Sequence, residues 1–349
     1  MTDHEETAAW LRQMPKAELH LHLEGTIEPA TLVELSQRQE TAQGMSPLNL
    51  EAARSLYLYK DFSGFMLAFK AVTERLRTPE DYELITYRML ERLAKQGVVH
   101  AEVYVSVGVI YYWRKAECDV DPLFLDRIFA GMERGRERGE RDFGVSLFWI
   151  FDAVRHFGPE EAARVFRKAA ELKLKSPSVV GIGIGGDERR TGSEPFRDLY
   201  AEAQDAGLHL TAHAGETVGP EGIWSALNIG SERIGHALSA LDDRELMDVL
   251  AERQVPLEIC ISSNLRTGCC SSLERHPVKQ YFDAGLMVTL NSDDPAMFGS
   301  DLEGEYMLAH REFGFTAEHL RELAANSIEA SFLAPKRKVE LLHQIESML

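Results

Sequence analysis

Short apolar runs rich in β-branched residues alternate along the chain with longer stretches whose apolar residues recur at helical spacing. Most of the runs are followed by an amphipathic stretch, such as 158–174 or 242–254, that opens with Gly-Pro or acidic residues, as helices do. The pattern predicts eight strands, at about 17–22, 98–105, 143–151, 178–185, 208–213, 233–236, 256–260 and 286–291.

Eight strands that alternate with helices favour a closed parallel barrel. We therefore predict an α/β fold, the (β/α)8 or TIM barrel, with residues 1–349 in a single domain. The stretch between the first two strands is too long for one crossover helix. Its segments 61–76 and 79–97 predict additional helices over the carboxyl-terminal face of the barrel, with a helical lid insertion at about 40–80. Segment 316–349 predicts helices that pack outside the barrel.

Composition and charge limit the partners of the protein. The chain is 44% hydrophobic and 27% charged, which is typical of globular proteins, and no apolar run is long enough to cross a bilayer. A formal net charge of −18 would repel a phosphate backbone, so we expect no nucleic-acid partner. The four cysteines lack a C-x-x-C spacing, and the first ten residues lack the features of a signal sequence. We expect a cytoplasmic protein without a membrane partner, in an oligomeric state that the sequence does not reveal.

Ionisable side chains stand at the ends of several predicted strands. His20 and His22 close the first strand, His213 closes the fifth and His236 closes the sixth, whereas Asp293 and Asp294 follow the eighth. The carboxyl ends of barrel strands meet on one face, so these side chains are expected to converge. Three imidazoles and a carboxylate suit Zn²⁺, which predicts a site formed by His20, His22, His213 and Asp293. The fourth strand ends in GIGIGGDE, without a lysine that could become a bridging ligand, which favours one Zn²⁺ per chain.

Each of these residues has a simpler explanation when it is taken alone. A histidine in an apolar run is more often a hydrogen-bonded core residue than a metal ligand. Glu216 could be a first-turn acid of the following helix, and Asp294 could form a turn before Pro295. The joint pattern at four strand ends makes coincidence a poor explanation. The glycines of the fourth strand lack the G-x-G-x-x-G spacing of a dinucleotide-binding loop, which we exclude.

Five motifs, in this order along the chain, resemble those of the adenosine/adenine deaminase branch of the amidohydrolase superfamily: ELHLHLEG, GGDE, HAGE, IGHA and NSDDP. The resemblance extends over about residues 14–335, and the order of all five motifs makes it specific. It implies a zinc-containing (β/α)8 barrel with a helical lid. It also implies an aminohydrolase that converts a 6-aminopurine nucleoside into the 6-oxo product and ammonia.

The resemblance also implies a role for each motif residue. The zinc ligands would be His20, His22, His213 and Asp293. Glu216 would donate a proton to purine N1, which requires a carboxyl group that burial keeps neutral. His236 would take or orient the proton of the attacking water, and Asp293 would hold that water from the other side. Asp294 would bond purine N7, and the backbone N–H of Gly186 would bond N3.

The sequence departs from adenosine-specific relatives around the sugar. Glu24 stands where they usually have aspartate, and the segments 101–110 and 260–270 differ from theirs. We therefore expect a modified adenosine, with His22 and Glu24 among its contacts. The candidate is 6-aminodeoxyfutalosine of the futalosine menaquinone route, with Arg266 as the partner of its carboxylate. An exposed loop arginine is, however, more often solvated than functional.

Other functions remain alternatives. Adenine itself could be the substrate, since Glu24 is also typical of adenine and modified-nucleoside deaminases. Another metal-dependent hydrolase of an amide or phosphoester could use the same barrel, although HAGE and SDDP argue against it. A non-catalytic nucleoside-binding protein is disfavoured because the metal and acid residues are all present. Arg155 matches a family arginine, and its role could be structural.

Overall fold

The strands lie side by side in chain order. A computed structural model describes residues 3–42 and 44–348, and in it eight parallel strands form one sheet. The strands are β1 Lys16–His22, β2 Val98–Val105, β3 Ser146–Val154, β4 Val179–Gly185, β5 His209–Ala214, β6 Arg233–His236, β7 Leu257–Ile259 and β8 Val288–Leu290. This order, with helices between successive strands, confirms the predicted (β/α)8 barrel.

The described residues form eighteen α-helices around the sheet. They are α1 Asp3–Gln13, α2 Pro29–Ala42, α3 Leu50–Leu56, α4 Phe62–Thr73, α5 Pro79–Lys95, α6 Val107–Trp113, α7 Lys115–Val120, α8 Phe124–Phe143, α9 Pro159–Lys173, α10 Arg197–Asp205, α11 Pro220–Asn228, α12 Arg244–Arg253, α13 Ile261–Arg266, α14 Val278–Asp283, α15 Pro295–Phe298, α16 Leu302–Phe313, α17 Ala317–Glu329 and α18 Pro335–Glu346. Within residues 3–42 and 44–348, we find no helix that combines the length and the apolar character needed to span a bilayer.

The third strand lies further along the chain than its prediction. The sequence predicted 143–151, whereas β3 ends at Val154. Gly144 has a φ of 75° and ends α8 in the left-handed conformation, so Phe143 belongs to the last turn of that helix. The shift places Asp152 inside the strand, where it lines the cavity described below. The other strand boundaries agree with the predictions to within two residues.

The barrel closes between β8 and β1 through few backbone contacts. The Asp293 N–H donates to the His20 carbonyl at 3.0 Å, and the His22 N–H donates to the Asp293 carbonyl at 2.9 Å. Further from this end, side chains satisfy the strand backbone: Asn291 Oδ1 accepts from Leu19 N–H at 2.8 Å. Among the described residues, backbone pairing of this seam is therefore confined to its carboxyl end, where the predicted metal ligands stand.

Helix α17 covers the outside of the same seam. It packs against both β1 and β8, and its Ser327 Oγ accepts a hydrogen bond from the Ala17 N–H at 2.9 Å. Its Asn326 side chain donates to the Val288 carbonyl at 3.1 Å. The prediction that the carboxyl-terminal helices pack outside the barrel is thus confirmed, and α17 replaces backbone hydrogen bonds that the seam lacks.

The long connection between β1 and β2 contributes both a cover and an ordinary crossover helix. Helix α4 lies over the carboxyl ends of the strands, where Phe65 and Met66 line the central cavity. Helix α5 instead packs against α8 and β2 in the outer ring. The prediction that segment 79–97 lies over the barrel face is therefore wrong, because this amphipathic helix is the crossover that joins two parallel strands.

A buried network of charged side chains fills the barrel beneath the carboxyl-terminal face. Arg233 of β6 lies between Glu102 of β2, to which it donates a hydrogen bond, and Glu258 of β7, whose Oε1 is 2.7 Å from Arg233 Nε. All three side chains are at most 1% exposed. The guanidinium also lies 4.0 Å from the centroid of the Phe332 ring. Because buried ions are stable only when paired, this network fixes three strands relative to one another.

Replacement of Arg233 tests the network. Arg233→Met should lower the free energy of unfolding by about 3–5 kcal/mol, because it leaves two buried carboxylates without a cation. Urea titration followed by circular dichroism measures the change. The control is Arg337→Met, which removes an exposed pair with Glu340 and should cost less than about 0.5 kcal/mol. Equal stability of the two variants would contradict the role given to Arg233.

Candidate active site

The histidines in the carboxyl-terminal parts of β1 and β5 meet Asp293, which follows β8, at the carboxyl end of the barrel. His22 Nε2 and His213 Nε2 lie 3.1 Å apart. Asp293 Oδ1 lies 3.4 Å from His22 Nε2 and 3.6 Å from His20 Nε2. Ligand atoms of His20, His213 and His236 also lie within 4.8 Å of one another. The structure therefore brings together the residues that the sequence predicted as metal ligands.

Hydrogen bonds behind the imidazoles orient them. His20 Nδ1 lies 2.7 Å from Glu258 Oε2, and His213 Nδ1 lies 3.1 Å from the carbonyl of Ile184. Because Nδ1 is engaged in each ring, the Nε2 atom is available to the cluster. The buried Nε2 of His20 has no hydrogen-bond partner among the described residues. Metal-bound histidines typically have such a second partner, which fixes the tautomer and the ring direction. The cluster thus has the geometry of a metal site.

The electrostatics of the cluster fit a cation. Burial lowers the pKa of His22 to about 4 and lowers that of His213 well below its ordinary value, which favours the neutral imidazoles that can bind a metal. Burial alone would lower the pKa of His20 too, but interactions with the nearby carboxylates of Asp293 and Glu258 outweigh it and raise the pKa to about 10. Carboxylates that favour a proton at this point also favour a metal ion. The donor set accepts a divalent metal.

Two side chains of the site are carried by strained backbone. His236 has a φ of 66° and Asp293 has a φ of 62°, in the left-handed region that residues other than glycine rarely adopt. Asp293 is held there by the two backbone hydrogen bonds of the seam, and its Oδ2 accepts a hydrogen bond from Ser263 Oγ at 2.6 Å. Such strain persists where the surroundings over-determine it, as at functional sites.

Glu216 lies on the loop that follows β5, beside the cluster. Burial, with the charges of Asp293 and Glu188, raises the pKa of its carboxyl group to about 8. Glu216 Oε1 lies 3.9 Å from His236 Nε2. The Asn264 amide lies 3.0 Å from His236 Nδ1. A carboxyl group that is neutral at pH 7 therefore stands next to the imidazole nitrogens.

The loop that carries Glu216 is held by a carboxylate that the sequence analysis did not single out. Glu188, just after β4, accepts hydrogen bonds from the backbone N–H groups of Gly215 at 2.8 Å, Glu216 at 3.1 Å and Thr217 at 3.3 Å. Glu188 belongs to the GGDE motif and follows the end of a strand, and this position could have identified it as a residue of the site. Three bonds to one carboxylate fix where Glu216 stands.

Asp294 and Gly186 lie on the walls of the same cavity. Burial and the neighbouring charge of Asp293 raise the pKa of Asp294 well above its ordinary value, which favours the protonated form that can donate a hydrogen bond. Its Oδ1 has no partner among the described residues. Gly186 has a φ of 92°, and a Cβ there would lie 2.9 Å from His156 Nδ1. Only glycine therefore fits this turn, which keeps the backbone accessible to the cavity.

These side chains surround an inner cavity of about 110 Å³. The predicted residues that line it are His22, Gly186, His213, Glu216, His236, Asp293 and Asp294. The opposite wall is apolar and comes from α4, with Phe62, Phe65, Met66 and Phe69. A mostly apolar cavity with a few convergent polar groups is typical of a small-molecule site, and its aromatic wall suits a flat heterocycle.

Glu24 is buried beside the inner cavity rather than on its lining. Its Oε1 accepts a hydrogen bond from the backbone N–H of Ser106, which does line the cavity, at 3.0 Å. Its Oε2 has no partner among the described residues. Burial raises the pKa of Glu24 to about 7.

The two arginines that the sequence analysis named lie elsewhere. The Arg266 guanidinium lies 5.7 Å from the centroid of the Tyr59 ring, and its Nη2 is 3.5 Å from the Tyr57 carbonyl. Arg155 is fully buried and donates hydrogen bonds to the carbonyls of His213 and Thr191, the second at 3.2 Å. Arg155 thus supports the backbone of β5, and Arg266 packs beside the segment that precedes α4.

Three further polar residues of the site had weak signals in the sequence. Asp152 lines the inner cavity, and burial raises the pKa of its carboxyl group to about 8. It was missed because the predicted third strand ended one residue before it. Glu258 lies inside an apolar run, where the pattern predicts only burial. Ser263 follows β7 in a short helix, and no motif around it in the sequence indicates a role in the site.

The arrangement supports one kind of chemistry. A cluster of imidazoles and a carboxylate can hold a metal ion that activates water, and the adjacent neutral carboxyl group can donate a proton to a bound molecule. Both groups face one cavity, so the two actions can be applied to the same small molecule.

Comparisons with known proteins agree with this chemistry. A family model described as adenosine deaminase matches residues 15–348. The aminodeoxyfutalosine deaminase of Streptomyces coelicolor is 37% identical over 341 residues, which cover 97% of this chain and 85% of the relative.

The solved structure of adenine deaminase from Arthrobacter aurescens has a TM-score of 0.87 and 32% identity, and covers 95% of this chain and 98% of that one. An amidohydrolase from Burkholderia ambifaria with bound Zn has a TM-score of 0.86 and 25% identity, over 100% of this chain and 94% of that one.

The matched region contains all five motifs and every residue of the cluster. It extends over the barrel, the covering helices and the carboxyl-terminal helices, so the resemblance first noted in the motifs holds for the whole fold. The chain belongs to the adenosine deaminase family and is an aminohydrolase that acts on a purine.

Proposed function

We propose that the protein catalyses the zinc-dependent hydrolytic deamination of a 6-aminopurine nucleoside to the 6-oxo product and ammonia. The observation that carries this proposal is the position of Glu216, a buried carboxyl group with a raised pKa, next to the imidazole and carboxylate cluster in one cavity. Water adds to C6 of an aromatic purine only when N1 gains a proton. A neutral acid beside a metal site meets both requirements.

The proposed cofactor is one Zn²⁺ per chain, held by His20, His22, His213 and Asp293. Imidazole nitrogens and a carboxylate oxygen are donors that zinc accepts, and the amidohydrolase from B. ambifaria was solved with bound Zn. Bound zinc would supply the Lewis acidity that makes water a nucleophile near neutral pH. The remaining steps fall to the side chains of the cavity.

Those side chains would hold the purine at three edges. Glu216 would donate its proton to N1, Asp294 would donate to N7, and the backbone N–H of Gly186 would donate to N3. His236, with its Nε2 3.9 Å from Glu216 Oε1, would take or orient the proton of the attacking water. Asp293 would hold this water from the other side. The purine would then present C6 to the cluster and N9 to the opposite end of the cavity.

The size of the site favours a nucleoside over the free base. The inner cavity adjoins an outer one of about 480 Å³, and both are lined by Phe62, Met66, Phe69, Val109, His156 and Phe157. A nucleoside such as 6-aminodeoxyfutalosine would extend into this space, with His22 of the inner cavity proposed as a contact, whereas adenine would leave it empty. The contact predicted for Glu24 is not part of the proposal, because its side chain lines neither cavity. Adenine is kept as the second candidate because an adenine deaminase is 32% identical to this chain.

Glu216→Gln tests the proposed acid. The variant should lower kcat for 6-aminopurine substrates by about 10²- to 10⁴-fold, because the amide cannot supply the proton to N1. Loss of adenine-type absorbance measures turnover, and metal analysis checks that the cluster is intact. Glu221→Gln, an exposed acid in the first turn of α11, is the matched control and should retain normal turnover. Near-normal activity of Glu216→Gln would rule out this residue as the acid.

Removal of the metal tests the cofactor. Dialysis against a chelator should abolish deamination, and added Zn²⁺ should restore it, because the cluster is the proposed source of water activation. Metal analysis of the active protein should give about one zinc per chain. Two ions per chain, or full activity of metal-free protein, would contradict the single-site proposal.

The raised pKa of Glu216 predicts an alkaline limit to activity. The protonated carboxyl group is the proposed active form, and its pKa of about 8 means that the proton is retained at pH 7 and lost as the pH rises through that value. kcat/KM should therefore fall about tenfold per pH unit above this midpoint. The residual kcat/KM of Glu216→Gln should not show this fall at alkaline pH. A wild-type profile that stays flat to about pH 10 would exclude the proposed protonation state.

A further inference from the structure

A chain of hydrogen bonds runs through the buried side chains behind His236. The backbone N–H of Val278, at the start of α14, donates to His276 Nδ1 at 3.3 Å. His276 Nε2 lies 3.1 Å from Asn264 Oδ1, and Asn264 Nδ2 lies 3.0 Å from His236 Nδ1. The three side chains are at most 4% exposed. The chain therefore connects the backbone of α14 to an imidazole on the wall of the inner cavity.

The direction of every bond in this chain follows from its first donor. A backbone N–H can only donate, so His276 Nδ1 accepts and carries no proton. The ring then has its proton on Nε2, which donates to Asn264 Oδ1. Burial lowers the pKa of His276 to about 4, in agreement with a neutral ring. The Asn264 amide thus has its oxygen toward His276 and its NH2 group toward His236.

The same reasoning fixes the tautomer of His236. The NH2 group of Asn264 can only donate, so His236 Nδ1 accepts and the proton of the ring stands on Nε2. This nitrogen lies on the side of the inner cavity, 3.9 Å from Glu216 Oε1. His236 therefore presents an N–H donor to the cavity rather than a lone pair.

His236 differs in this respect from two histidines of the cluster. The groups behind Nδ1 of His20 and His213 are the Glu258 carboxylate and the Ile184 carbonyl, which both accept hydrogen bonds. An acceptor behind Nδ1 leaves a lone pair on Nε2 for a metal, whereas the donor behind His236 gives the opposite tautomer. His236 is therefore not a ligand through Nε2, although it offers a ligand atom within 4.8 Å of those of His20 and His213.

The surrounding backbone keeps the Asn264 amide in this orientation. Asn264 lies in α13, where its N–H donates to the Cys260 carbonyl at 3.0 Å and its carbonyl accepts from the Cys270 N–H at 2.8 Å. A half turn of the amide would place its NH2 group against the Nε2–H of His276. Two donors would then face each other in a buried place, which costs the hydrogen bonds of both. The orientation of one amide thus sets the tautomer of His236.

We infer that Asn264 and His276 are positioning residues that hold His236 in the Nε2–H tautomer, so that His236 donates a hydrogen bond to the attacking water and does not take its proton. The inference rests on the proposed function, which left both roles to His236. An N–H group aimed at the water oxygen orients its lone pairs and stabilises the negative charge that remains when the proton leaves. That proton then needs another acceptor as the C6–O bond forms, and Asp293 is the carboxylate proposed on the other side of the water.

Nitrogen NMR of the holoenzyme measures the tautomer. In zinc-loaded protein with ¹⁵N-labelled histidine, His236 and His276 should each show a protonated Nε2 and an unprotonated Nδ1. The signals that disappear in His236→Gln and in His276→Gln assign the two rings. A His236 ring with its single proton on Nδ1 would overturn the inference, whatever the activity of the protein.

Asn264→Asp changes the acceptors with nearly the same side-chain shape. The carboxylate accepts from both histidines, so His236 should gain a proton on Nδ1 and lose the one on Nε2. kcat should then fall about 10²-fold with little change in KM, because the water loses its donor. If the ring becomes doubly protonated, Nε2 keeps its proton and kcat should be retained. Wild-type kcat in a variant whose NMR spectrum shows no proton on His236 Nε2 would contradict the inference.

Two substitutions of His276 test the far end of the chain. His276→Gln keeps an amide donor near the place of Nε2 and should retain kcat within about threefold. His276→Met fills the space without a donor, so the Asn264 amide can turn, and kcat should fall about tenfold with little change in KM. Urea titration and metal analysis check that both variants are folded and zinc-loaded. His343→Met, at an exposed pair with Glu346, is the control and should behave as wild type. Equal kcat values of the Gln and Met variants would exclude the positioning role of His276.

The NMR measurement separates this inference from the proposed function, because it does not depend on turnover. Release of ammonia from a 6-aminopurine nucleoside by a protein whose His236 has its proton on Nδ1 would refute the inference alone. A protonated His236 Nε2 in a zinc-loaded protein that deaminates no 6-aminopurine would refute the proposed function alone.

Discussion

The pairing of β1 with β8 is the contact on which the rest of the structure depends. Among the described residues, these strands exchange backbone hydrogen bonds where Asp293 meets His20 and His22, so closing the barrel and assembling the cluster are one event. The cost is a left-handed backbone at Asp293, of order 1–3 kcal/mol for a residue other than glycine. Side chains of Asn291 and Ser327 bond the strand N–H groups further from the site, so the seam holds without a full ladder.

Charge balance explains why the interior below the cluster is polar. Arg233 outweighs the effect of burial and keeps the pKa values of Glu102 and Glu258 below their ordinary value, and the nearby His20 does the same for Asp293. With His20 neutral, as a metal ligand would be, these three carboxylates and one guanidinium leave two negative charges in a buried region. A divalent cation balances them, which a neutral ligand could not do. The buried negative charge therefore favours a divalent cation, in addition to the imidazole and carboxylate donors that could bind it.

The sequence predicts the strand ends well and the groups behind them poorly. Hydrophobic periodicity reports burial, so it located β1, β5 and β8 and, with them, the histidines and Asp293. It could not show that Glu258 supports His20, because a buried glutamate inside an apolar run looks the same whatever it contacts. Asp152 was missed because Gly144 ends a helix at an aromatic residue that the pattern assigns to a strand. Helix α5 has the pattern of any amphipathic helix, and only packing shows that it belongs to the outer ring.

The inner and outer cavities also differ in which parts of the fold form them. Strand ends and seam backbone fix the inner cavity, and the chemistry proposed there depends on the closure of the barrel. The outer cavity is lined by residues of α4, α6 and two turns, which can change in sequence without opening a single strand pair. The departure from adenosine-specific relatives at 101–110 falls in the segment that leads into α6, and its Val109 lines the outer cavity. Reaction and substrate range are therefore carried by different parts of the fold, and the second can vary while the first is kept.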